Sequence, residues 1–321
     1  MAGLQKLQIR FTAKRAVSRL DKYLAGEFPE LSRSSIQKLI RQGDVLVNGE
    51  EAKASQKVEP GDEVCIRVPP LEESTLLAEE IPVAVLYEDS DLVVIDKPAG
   101  LVVHPSPGHT AHTLVNALLA RCPDLAGFGD NMRPGIVHRL DKDTSGVMVI
   151  AKNSRTQQYL VEQFKRGAVS KGYLVLVKGR LSPSRGIIEA PIGRDPADRK
   201  RMAVVKAGRP ARTMYRVREY IGDHSLLDIS TETGRTHQIR VHLAAIGYPV
   251  VGDAVYGVRS DFVKRQFVHA CRLGFHLPQN GEYREFVSEL PADLKRAINE
   301  LRGRHILGNR SVLVANNHVM C

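Results

Sequence analysis

Three segments of the chain place polar side chains within otherwise apolar sequence, and the first is DLVVIDKPAGLVVHP (91–105). RPGIVHRLDKDTSGVMVIAK (133–152) has six polar residues between two apolar runs: His138, Arg139, Asp141, Lys142, Asp143 and Thr144. TETGRTHQIRVHLAAIGYPVVGDAVYG (231–257) has two arginines and two histidines within eight residues: Arg235, His237, Arg240 and His242. Because a buried charge is costly unless it is paired, these residues form either an ion-pair network or a reactive site.

The residue types alone leave three chemistries open. Asp141 paired with an arginine is either a structural salt bridge or a reactive carboxylate that is kept ionised. Asp141 and Asp143 fit the acid–base pair of a glycosidase only if regular β structure turns both to one face. Four histidines suggest a metal site, although no carboxylate or thiolate completes the set: His109, His112, His237 and His242. Arg235 and His237 share a face on an extended chain, whereas residues 237 and 240 share one on a helix.

The chain lacks the signatures of several common enzyme classes. It contains no GxxxxGK[ST] or GxGxxG phosphate loop, no HExxH and no GxSxG. It also has no apolar run long enough for a membrane helix and no apolar N-terminal stretch typical of a signal peptide. Its four cysteines form no CxxC pair, which is typical of a reducing compartment: Cys65, Cys122, Cys271 and Cys321. We therefore expect a cytoplasmic protein.

The positive charge of the chain is unevenly distributed. The net charge is +10 and the isoelectric point is about 9.5. Residues 131–220 contain 20 Lys and Arg against 7 Asp and Glu, whereas residues 71–100 contain 1 against 8. A concentrated basic surface is typical of proteins that bind a phosphate backbone, although a merely soluble basic protein is the alternative. The absence of tryptophan argues against an extended stacking platform for single strands.

Residues 17–68 are predicted to form a small module of helices and hairpin strands. Apolar residues at helical spacing define two helices: Leu20, Leu24 and Phe28, then Ile36, Leu39 and Ile40. We predict Ser18 as the N-cap of the first helix and Gly43 as the stop of the second. Asn48-Gly49 and Pro60-Gly61 predict tight turns next to strands. Three basic residues face outward, either as a docking surface or as an ordinary solvated helix face: Arg33, Lys38 and Arg41.

The rest of the chain is predicted to be an α+β domain. PPLEESTLLAEEIP (69–82) is typical of an exposed tether. Six apolar runs are predicted to be buried strands: VAVLYE, LVVID, IVHRL, VMVIAK, YLVLVKG and LLDIST. Three segments are predicted to be helices: TLVNALLARC, TQQYLVEQFKRG and PADLKRAINELRGR. Because strands outnumber helices without alternating with them, we expect a mixed or antiparallel sheet.

Three motifs together resemble those of the RluA/RluD family of RNA pseudouridine synthases. HRLDKDTSG is preceded by DLVVIDKPAGLVVHP (91–105) and followed by TGRTHQIRVHLAAIGYPVVGDAVYG, in the family's order, with KGYLVLVKG between the last two. SRSSIQKLIRQGDVLVNG resembles the small S4-like RNA-binding module of a ribosomal small-subunit protein. The combination is similar to the RluD subtype, which acts on large-subunit ribosomal RNA. The resemblance implies an S4-like domain over 15–75 and a synthase domain over 76–304, and leaves 305–321 unassigned.

The resemblance also implies a reaction and its residues. The family converts uridine to pseudouridine without a metal or a cofactor. Asp141 matches the essential aspartate, which acts on either C1′ or the C2′ proton. Arg240 matches its basic partner. Tyr173 matches the tyrosine that packs on the target base and is a candidate for taking the C5 proton.

The same resemblance implies how RNA is held. Arg139 matches the position whose side chain fills the stack that a flipped uridine leaves. Arg235 and His237 are expected to position phosphates or neighbouring backbone. Two further groups are expected to contact RNA: Arg199, Lys200 and Arg201, and the module residues Arg33, Lys38 and Arg41. The expected partner is ribosomal RNA or an assembling large subunit, with no membrane contact and with the protein as a monomer.

Two points stay open in the sequence. The segment GDAVYGVRSDFVKRQF (252–267) is shorter than in many relatives of this subtype, which leaves the target uridines undefined. The main alternative is a catalytically silent RNA-binding or ribosome-associated factor on the same fold, and a metal-dependent hydrolase is the second. Loss of modification on Asp141→Asn would separate the first alternative from an active synthase.

Overall fold

The computed structural model describes residues 7–28, 31, 33–68, 76–105, 111–127 and 133–316, without the side chains of 34–35 and 306–316. The chain divides into two compact units. The first comprises Met1–Ile81, His104–Gly135 and Lys152–Arg155, and the second comprises Pro82–Val103, Ile136–Ala151 and Thr156–Cys321.

The N-terminal part of the first unit is a small sheet with two helices. Its elements are β1 (Leu7–Thr12), α1 (Leu20–Glu27), α2 (Arg33–Arg41), β2 (Val45–Val47), β3 (Glu50–Glu51) and β4 (Glu63–Val68). The strands pair antiparallel in the order β1-β4-β2-β3. Asn48 and Gly49 both have positive φ, 53° and 84°, as a two-residue hairpin turn requires. The predicted module of two helices and hairpin strands is therefore confirmed.

Helix α1 begins one residue later than predicted and without a side-chain cap. Its N-cap is Arg19, not Ser18, and no side-chain capping hydrogen bond is made there. The backbone N–H groups of Leu20 and Asp21 instead donate to the carbonyls of Gln56 and Ala54, at 2.8 and 3.2 Å. Because a neighbouring segment already satisfies these donors, a serine cap is unnecessary.

Helix α3 (Leu114–Arg121) also belongs to the first unit and is followed by a short 3₁₀ helix (Pro123–Gly127). Thr113 and Asn116 form a capping box at the start of α3. The Asn116 amide donates to the Leu77 carbonyl at 2.8 Å, and the Glu79 N–H donates to the Asn116 carbonyl at 3.0 Å. Residues 76–81 are thus hydrogen-bonded to α3, and Leu76 is buried, whereas Leu77, Ala78 and Glu80 are exposed, as predicted for a tether. Residues 69–75 lie outside the described residues.

A nine-stranded sheet forms the centre of the second unit. Its strands are β5 (Ala84–Glu88), β6 (Leu92–Lys97), β7 (Ser145–Ala151), β8 (Ser170–Lys178), β9 (Arg185–Glu189), β12 (Arg212–Ile221), β13 (His224–Thr231), β14 (Val268–His276) and β15 (Tyr283–Val287), and a separate hairpin is formed by β10 (Ile192–Arg194) and β11 (Met202–Val204). The order is β5-β6-β7-β14-β8-β13-β12-β9, with β15 on β14. All pairs are antiparallel except β7 with β14. The predicted mixed sheet is confirmed.

Three helices pack around this sheet: α4 (Ser154–Arg166), α5 (Gln238–Ala245) and α6 (Ala292–Asn316). The core on one side of β8 includes Val175 and Val177 with Leu243 of α5. The core on the other side includes Leu174 and Leu176 with helix α6. This alternation along β8 is the period-two pattern of a strand that is buried on both faces. Residues of β8 that face α5 therefore point toward the motif that contains Arg240.

Two predicted elements differ from the structure. IVHRL (136–140) is not a strand; it makes one isolated bridge, between Ile136 and Ile150. The Val149 N–H, which a neighbouring strand would otherwise bind, donates to the His138 ring at 3.0 Å. The last helix runs to Asn316, well beyond the predicted end at residue 304. None of the helices in the described part of the chain combines the length and hydropathy that spanning a bilayer requires.

Candidate active site

Asp141 lies in the short loop that enters β7. The Thr144 N–H donates to the Asp141 carbonyl at 3.1 Å, which closes a turn at this point. Arg265 then binds the end of the loop, because its guanidinium donates to the Asp143 carbonyl at 2.9 Å and is paired with Asp293 at 2.7 Å. The loop is therefore held by its backbone, which leaves the Asp141 side chain free for other partners.

A glycine allows β7 to approach β14 directly after this loop. Gly146 has φ +123°, and a Cβ placed on it would lie 2.1 Å from the Ala270 carbonyl oxygen. No side chain fits there. The close parallel approach places Ser145 beside His269, at 3.0 Å between Oγ and Nδ1. The packing of the two strands thus fixes where the Asp141 loop begins.

A buried lysine joins the Asp141 loop to the end of β6. Lys97 is fully buried, and its ammonium donates to three backbone carbonyls: Pro98 at 2.8 Å, Leu101 at 2.9 Å and Lys142 at 3.0 Å. Burial lowers the pKa of Lys97 to about 7. All three ammonium protons have acceptors, so the motif DKPAG positions the reactive loop rather than lining a pocket.

Arg240 lies between two carboxylates. It is 5% exposed, and its Nη1 donates to Asp141 Oδ2 at 3.0 Å. Its Nε and Nη2 donate to Asp253 at 2.6 and 2.9 Å, in a bidentate pair. Burial by itself would raise the pKa of Asp253, but the bonds from Arg240 and the backbone lower it below its usual value. The second carboxylate fixes the guanidinium, so the interaction with Asp141 has a defined direction.

His237 approaches the same carboxylate from the start of α5. It is the N-cap residue and adopts the left-handed conformation, with φ 57°. Its Nε2 lies 4.0 Å from Asp141 Oδ1, and its Nδ1 lies 2.8 Å from the Tyr256 hydroxyl. Burial lowers the pKa of His237, while the charge of Asp141 acts in the opposite direction. His237 is therefore a neutral polar neighbour of Asp141 at pH 7.

The predicted helical spacing brings His237 and Arg240 to one carboxylate. Of the two arrangements left open in the sequence, the structure has the one in which residues 237 and 240 share a helix face. Arg235 precedes the helix, and its Nε donates to the Pro210 carbonyl at 3.0 Å. Gln238 holds this loop against β12, since its amide donates to the Arg212 carbonyl at 2.9 Å and accepts from the Arg235 N–H at 3.0 Å.

A small pocket opens beside Asp141. Its volume is about 80 Å³, and its walls include Tyr173, Thr231, Val268 and Arg139. This is smaller than the roughly 300–1,000 Å³ of typical ligand pockets, so the space suits a single small ring. Burial raises the pKa of Tyr173 to about 12. Tyr173 is thus a neutral phenol at pH 7, which favours a packing role over that of a base.

The predicted RNA-contact residues fall into separate groups. Arg139, Arg235 and His237 all line the pocket, and Arg139 is exposed. Residues 199–201 form the exposed turn of the β10–β11 hairpin, and the Arg201 guanidinium lies 5.2 Å from the centre of the Tyr256 ring. The hairpin therefore borders the residues around Asp141 within the second unit.

The three predicted contact residues in the first unit differ from one another. Lys38 and Arg41 are exposed on α2. Arg33 is also exposed, but its guanidinium donates to Asp21 at 2.8 and 3.0 Å. Arg19 and Gln37 donate to the same carboxylate. Arg33 is therefore committed to a structural ion pair, whereas Lys38 and Arg41 have their charges directed to solvent.

The geometry gives little support to a histidine metal site or to an acid–base pair formed by Asp141 and Asp143. Both ring nitrogens of His242 are engaged, with Thr213 at 2.9 Å and the Ala190 carbonyl at 3.0 Å. His112 pairs with Glu79 in the first unit, and His109 lies outside the described residues. Within the described ranges, no three His, Cys, Asp or Glu side chains are grouped as metal ligands. The pocket walls include Asp141 but not Asp143, so the two do not face each other across it.

Sequence reasoning missed four residues of the site: Lys97, Gln238, Asp253 and Tyr256. A signal existed for two of them. Lys97 ends the apolar run LVVIDK, and Asp253 interrupts the apolar run PVVGDAVYG, so each is a charge placed where burial was predicted. Gln238 and Tyr256 have no comparable signal, because their roles depend on partners distant in the sequence.

The site and the sheet correspond to a known class of RNA-modifying enzyme. A family model described as RNA pseudouridylate synthase matches residues 91–245, and an S4 domain model matches residues 18–64. The chain belongs to the RNA pseudouridylate synthase family and carries an S4 domain, and the α+β class predicted for it is confirmed.

Individual relatives agree with this assignment. The chain is 54% identical over 288 residues to an uncharacterized RNA pseudouridine synthase of Chloroflexus aurantiacus, covering 89% of this chain and 90% of the relative. It is 45% identical to a ribosomal large subunit pseudouridine synthase D of Xanthomonas campestris, over 88% of this chain and 89% of the relative. The structure of human RNA pseudouridylate synthase domain containing 1 superposes with a TM-score of 0.54 at 30% identity, covering 67% of this chain and 86% of that one. The chain is thus similar to synthases along most of its length.

Proposed function

We propose that this chain converts uridines of large-subunit ribosomal RNA to pseudouridine, with Asp141 as the reacting carboxylate. The observation that carries the proposal is the Asp141–Arg240 pair, 3.0 Å apart, at a small pocket beside Tyr173. The large-subunit substrate is supported by relatives 42–45% identical that are named ribosomal large subunit pseudouridine synthase D. None of the comparisons favours a catalytically silent factor.

The reaction begins with a uridine that has left its helical stack, because the sugar of a stacked nucleotide is inaccessible. The uracil ring enters the pocket and packs on Tyr173. Asp141 then either attacks C1′ or removes the C2′ proton, and the N1–C1′ bond breaks. The uracil turns and C5 bonds to C1′. In the first route C5 displaces the Asp141 oxygen from C1′, and in the second route Asp141 returns the proton to C2′. The C5 proton is then lost and N1 gains a proton, so the product is an isomer of the substrate.

Arg240 holds the Asp141 carboxylate in a fixed orientation in either route. Because Arg240 is also bound to Asp253, its guanidinium keeps its position when the charge on Asp141 changes during the reaction. Since a preorganised donor costs no reorganisation during the reaction, this arrangement stabilises the transition state. Tyr173 serves mainly as the surface on which the base packs.

RNA is held by the basic residues around this pocket. We assign contacts with the RNA backbone to Arg235 and to the hairpin residues 199–201. The side chain of Arg139 fills the space that the flipped uridine leaves in the stack. In the S4 domain, Lys38 and Arg41 bind a neighbouring helix of the RNA. Arg33 contributes to this contact through the edge of its guanidinium that is not bonded to Asp21. Phosphate contacts of this kind set affinity and register, whereas the pocket selects the base.

We further propose domains over 15–75 and 76–304, with 305–321 left unassigned. The two matched family ranges, 18–64 and 91–245, fall within these limits. The partner is free ribosomal RNA or an assembling large subunit, the location is the cytoplasm, and the active form is the monomer.

The first prediction tests Asp141. Asp141→Asn removes the negative charge without changing the shape of the side chain, so we expect pseudouridine formation to fall by about 10³-fold or more while RNA binding persists. The measurement is chemical mapping of pseudouridine in ribosomal RNA from cells that contain only the variant, with filter binding to the same RNA.

Asp143→Asn is the matched control, since it makes the same change two residues away and outside the pocket. It should leave the pseudouridine map as in the parent. Persistence of the modification in Asp141→Asn would refute the proposed role of this carboxylate.

A further inference from the structure

Tyr256 lies where three parts of the second unit meet. Its backbone N–H donates to the buried carboxylate of Asp253 at 3.1 Å. The Arg240 guanidinium lies 5.1 Å from the centre of its ring, and the His237 ring meets it edge-on at 5.5 Å. On the hairpin side, the Arg201 guanidinium lies 5.2 Å from the same ring. Tyr256 therefore contacts the partners of Asp141 and the exposed hairpin at once.

The Tyr256 hydroxyl lies between a backbone donor and a ring nitrogen of His237. The hydroxyl oxygen accepts the Met202 N–H at 2.8 Å, and it lies 2.8 Å from His237 Nδ1. Since the oxygen already accepts the Met202 N–H, the hydroxyl can donate its single proton to His237 Nδ1. When Nδ1 accepts this bond, the proton of the neutral ring is on Nε2. Nε2 is the nitrogen that faces Asp141, at 4.0 Å from Oδ1.

Burial favours the neutral form of His237. Burial lowers its pKa, as do the charges of Arg240 and Arg139, against the opposite effect of Asp141 and Asp253. A neutral ring presents an N–H dipole to Asp141 without forming an ion pair with it. The carboxylate then has one charged donor, Arg240, and one neutral donor that moves into hydrogen-bond range when the complex forms.

We propose that Tyr256 is a positioning residue that holds His237 with its N–H directed at Asp141 and links this arrangement to the β10–β11 hairpin through Met202. The proposal rests on the role of Asp141 given above. Because the hairpin carries Arg199, Lys200 and Arg201, the surface that contacts RNA and the donor that faces the reacting carboxylate share one hydroxyl group. Displacement of the hairpin therefore changes the orientation of His237.

The experiment removes this hydroxyl and compares it with a matched one. Tyr256→Phe keeps the ring and both guanidinium contacts. Tyr220→Phe is the control, because the Tyr220 hydroxyl also bonds to backbone, the Leu181 carbonyl at 2.7 Å, and its ring also has a guanidinium 4.5 Å away, that of Arg180. We expect the single-turnover rate constant to fall about tenfold in Tyr256→Phe and less than twofold in Tyr220→Phe, with RNA affinity unchanged in both.

A spectroscopic measurement separates positioning from general loss of structure. In the parent chain, the ¹⁵N shifts of the His237 ring should indicate protonated Nε2 and unprotonated Nδ1. In Tyr256→Phe they should move toward a mixture of the two tautomers, whereas in Tyr220→Phe they should not move. Unchanged shifts, or equal rate constants in the two variants, would overturn the proposal.

A double-mutant cycle tests whether Tyr256 acts through His237. His237→Asn tolerates the left-handed backbone and removes the ring nitrogen that faces Asp141. Adding Tyr256→Phe to it should cost less than twofold, and a full tenfold cost in that background would contradict the proposal. Asp141→Asn in the same assay separates the proposed role of Asp141 from that of Tyr256. If Asp141→Asn stays active, both proposals fail. If Asp141→Asn is inactive and Tyr256→Phe is fully active, only the role of Tyr256 is refuted.

Discussion

Asp21 and Asp141 are both paired with arginines, and only Asp141 is placed to react. Asp21 in the S4 domain is completely buried, and its oxygens accept from Arg19, Arg33 and Gln37. The side chain of Asp141 is 18% exposed and accepts one bond from Arg240, which is itself anchored to Asp253. Among the described residues, Asp141 Oδ1 has no hydrogen-bond donor closer than His237 at 4.0 Å.

The difference lies in how the donors are shared. At Asp21 several donors converge on one carboxylate, which uses up its acceptor capacity and stabilises the fold. At Asp141 one donor is divided between two carboxylates, which leaves an ionised oxygen directed into a pocket. An aspartate–arginine pair therefore indicates a reactive site when the arginine has a second buried partner and the aspartate does not.

The largest expected difference between the two aspartates is in the free energy of unfolding. Asp21→Asn removes a buried charge that two arginines and a glutamine surround, so it should lower the free energy of unfolding by about 2–3 kcal/mol. Denaturant unfolding monitored in the S4 domain measures it. Asp141→Asn should change the same quantity by less than about 1 kcal/mol, since Arg240 keeps Asp253 as a partner. Equal losses in the two variants would show that both pairs are structural.

A smaller effect concerns Lys97, which supports the Asp141 loop. With a pKa of about 7 in the folded chain and about 10.5 unfolded, Lys97 binds more protons in the unfolded state between these values. Stability should therefore rise with pH across this window, by about 2 kcal/mol between pH 7 and 9. Unfolding of the parent and of Lys97→Met at both pH values isolates this contribution. A parent curve parallel to that of Lys97→Met would mean that the three carbonyls keep the ammonium charged throughout.

The smallest effect separates the arginines of α2. Arg41→Gln should lower the slope of log affinity against log salt by about 1 without changing stability, because its charge is free for a phosphate. Arg33→Gln should lower stability by about 1 kcal/mol, because Arg33 supports Asp21. RNA binding at several salt concentrations, with unfolding of the same variants, makes the comparison. Identical salt slopes for the two variants would mean that the ion pair does not restrict Arg33.

The sequence predicted much of the fold because its patterns are local. The Asn48-Gly49 turn, the apolar stripes of α1 and α2 and the buried runs of β6, β7 and β8 each depend on neighbouring residues. The strand predicted at IVHRL does not form, because the Val149 N–H that would pair with it donates to the His138 ring instead. Ser18 failed as a cap because the donors of α1 are satisfied by residues 54–56, which no local pattern shows.

The site was predictable only in part for a similar reason. The motif resemblance and the helical spacing of His237 and Arg240 brought Asp141 and Arg240 into one hypothesis. The second partner of Arg240 and the hydroxyl of Tyr256 depend on a loop 13 to 19 residues further along, whose path is set by packing. Burial of Tyr173, which raises its pKa to about 12, is likewise a property of the assembled pocket.

The parallel pairing of β7 with β14 has a consequence for biosynthesis. Asp141 and Arg240 are 99 residues apart, and the strand that fixes the loop of Asp141 ends at residue 276. A nascent polypeptide emerging from the ribosome therefore exposes the N-terminal RNA-binding domain long before it has a guanidinium for its reactive carboxylate. Because contacts between distant parts of the chain form late in folding, we expect the Asp141 site to form only after the residues of β14 have been synthesised.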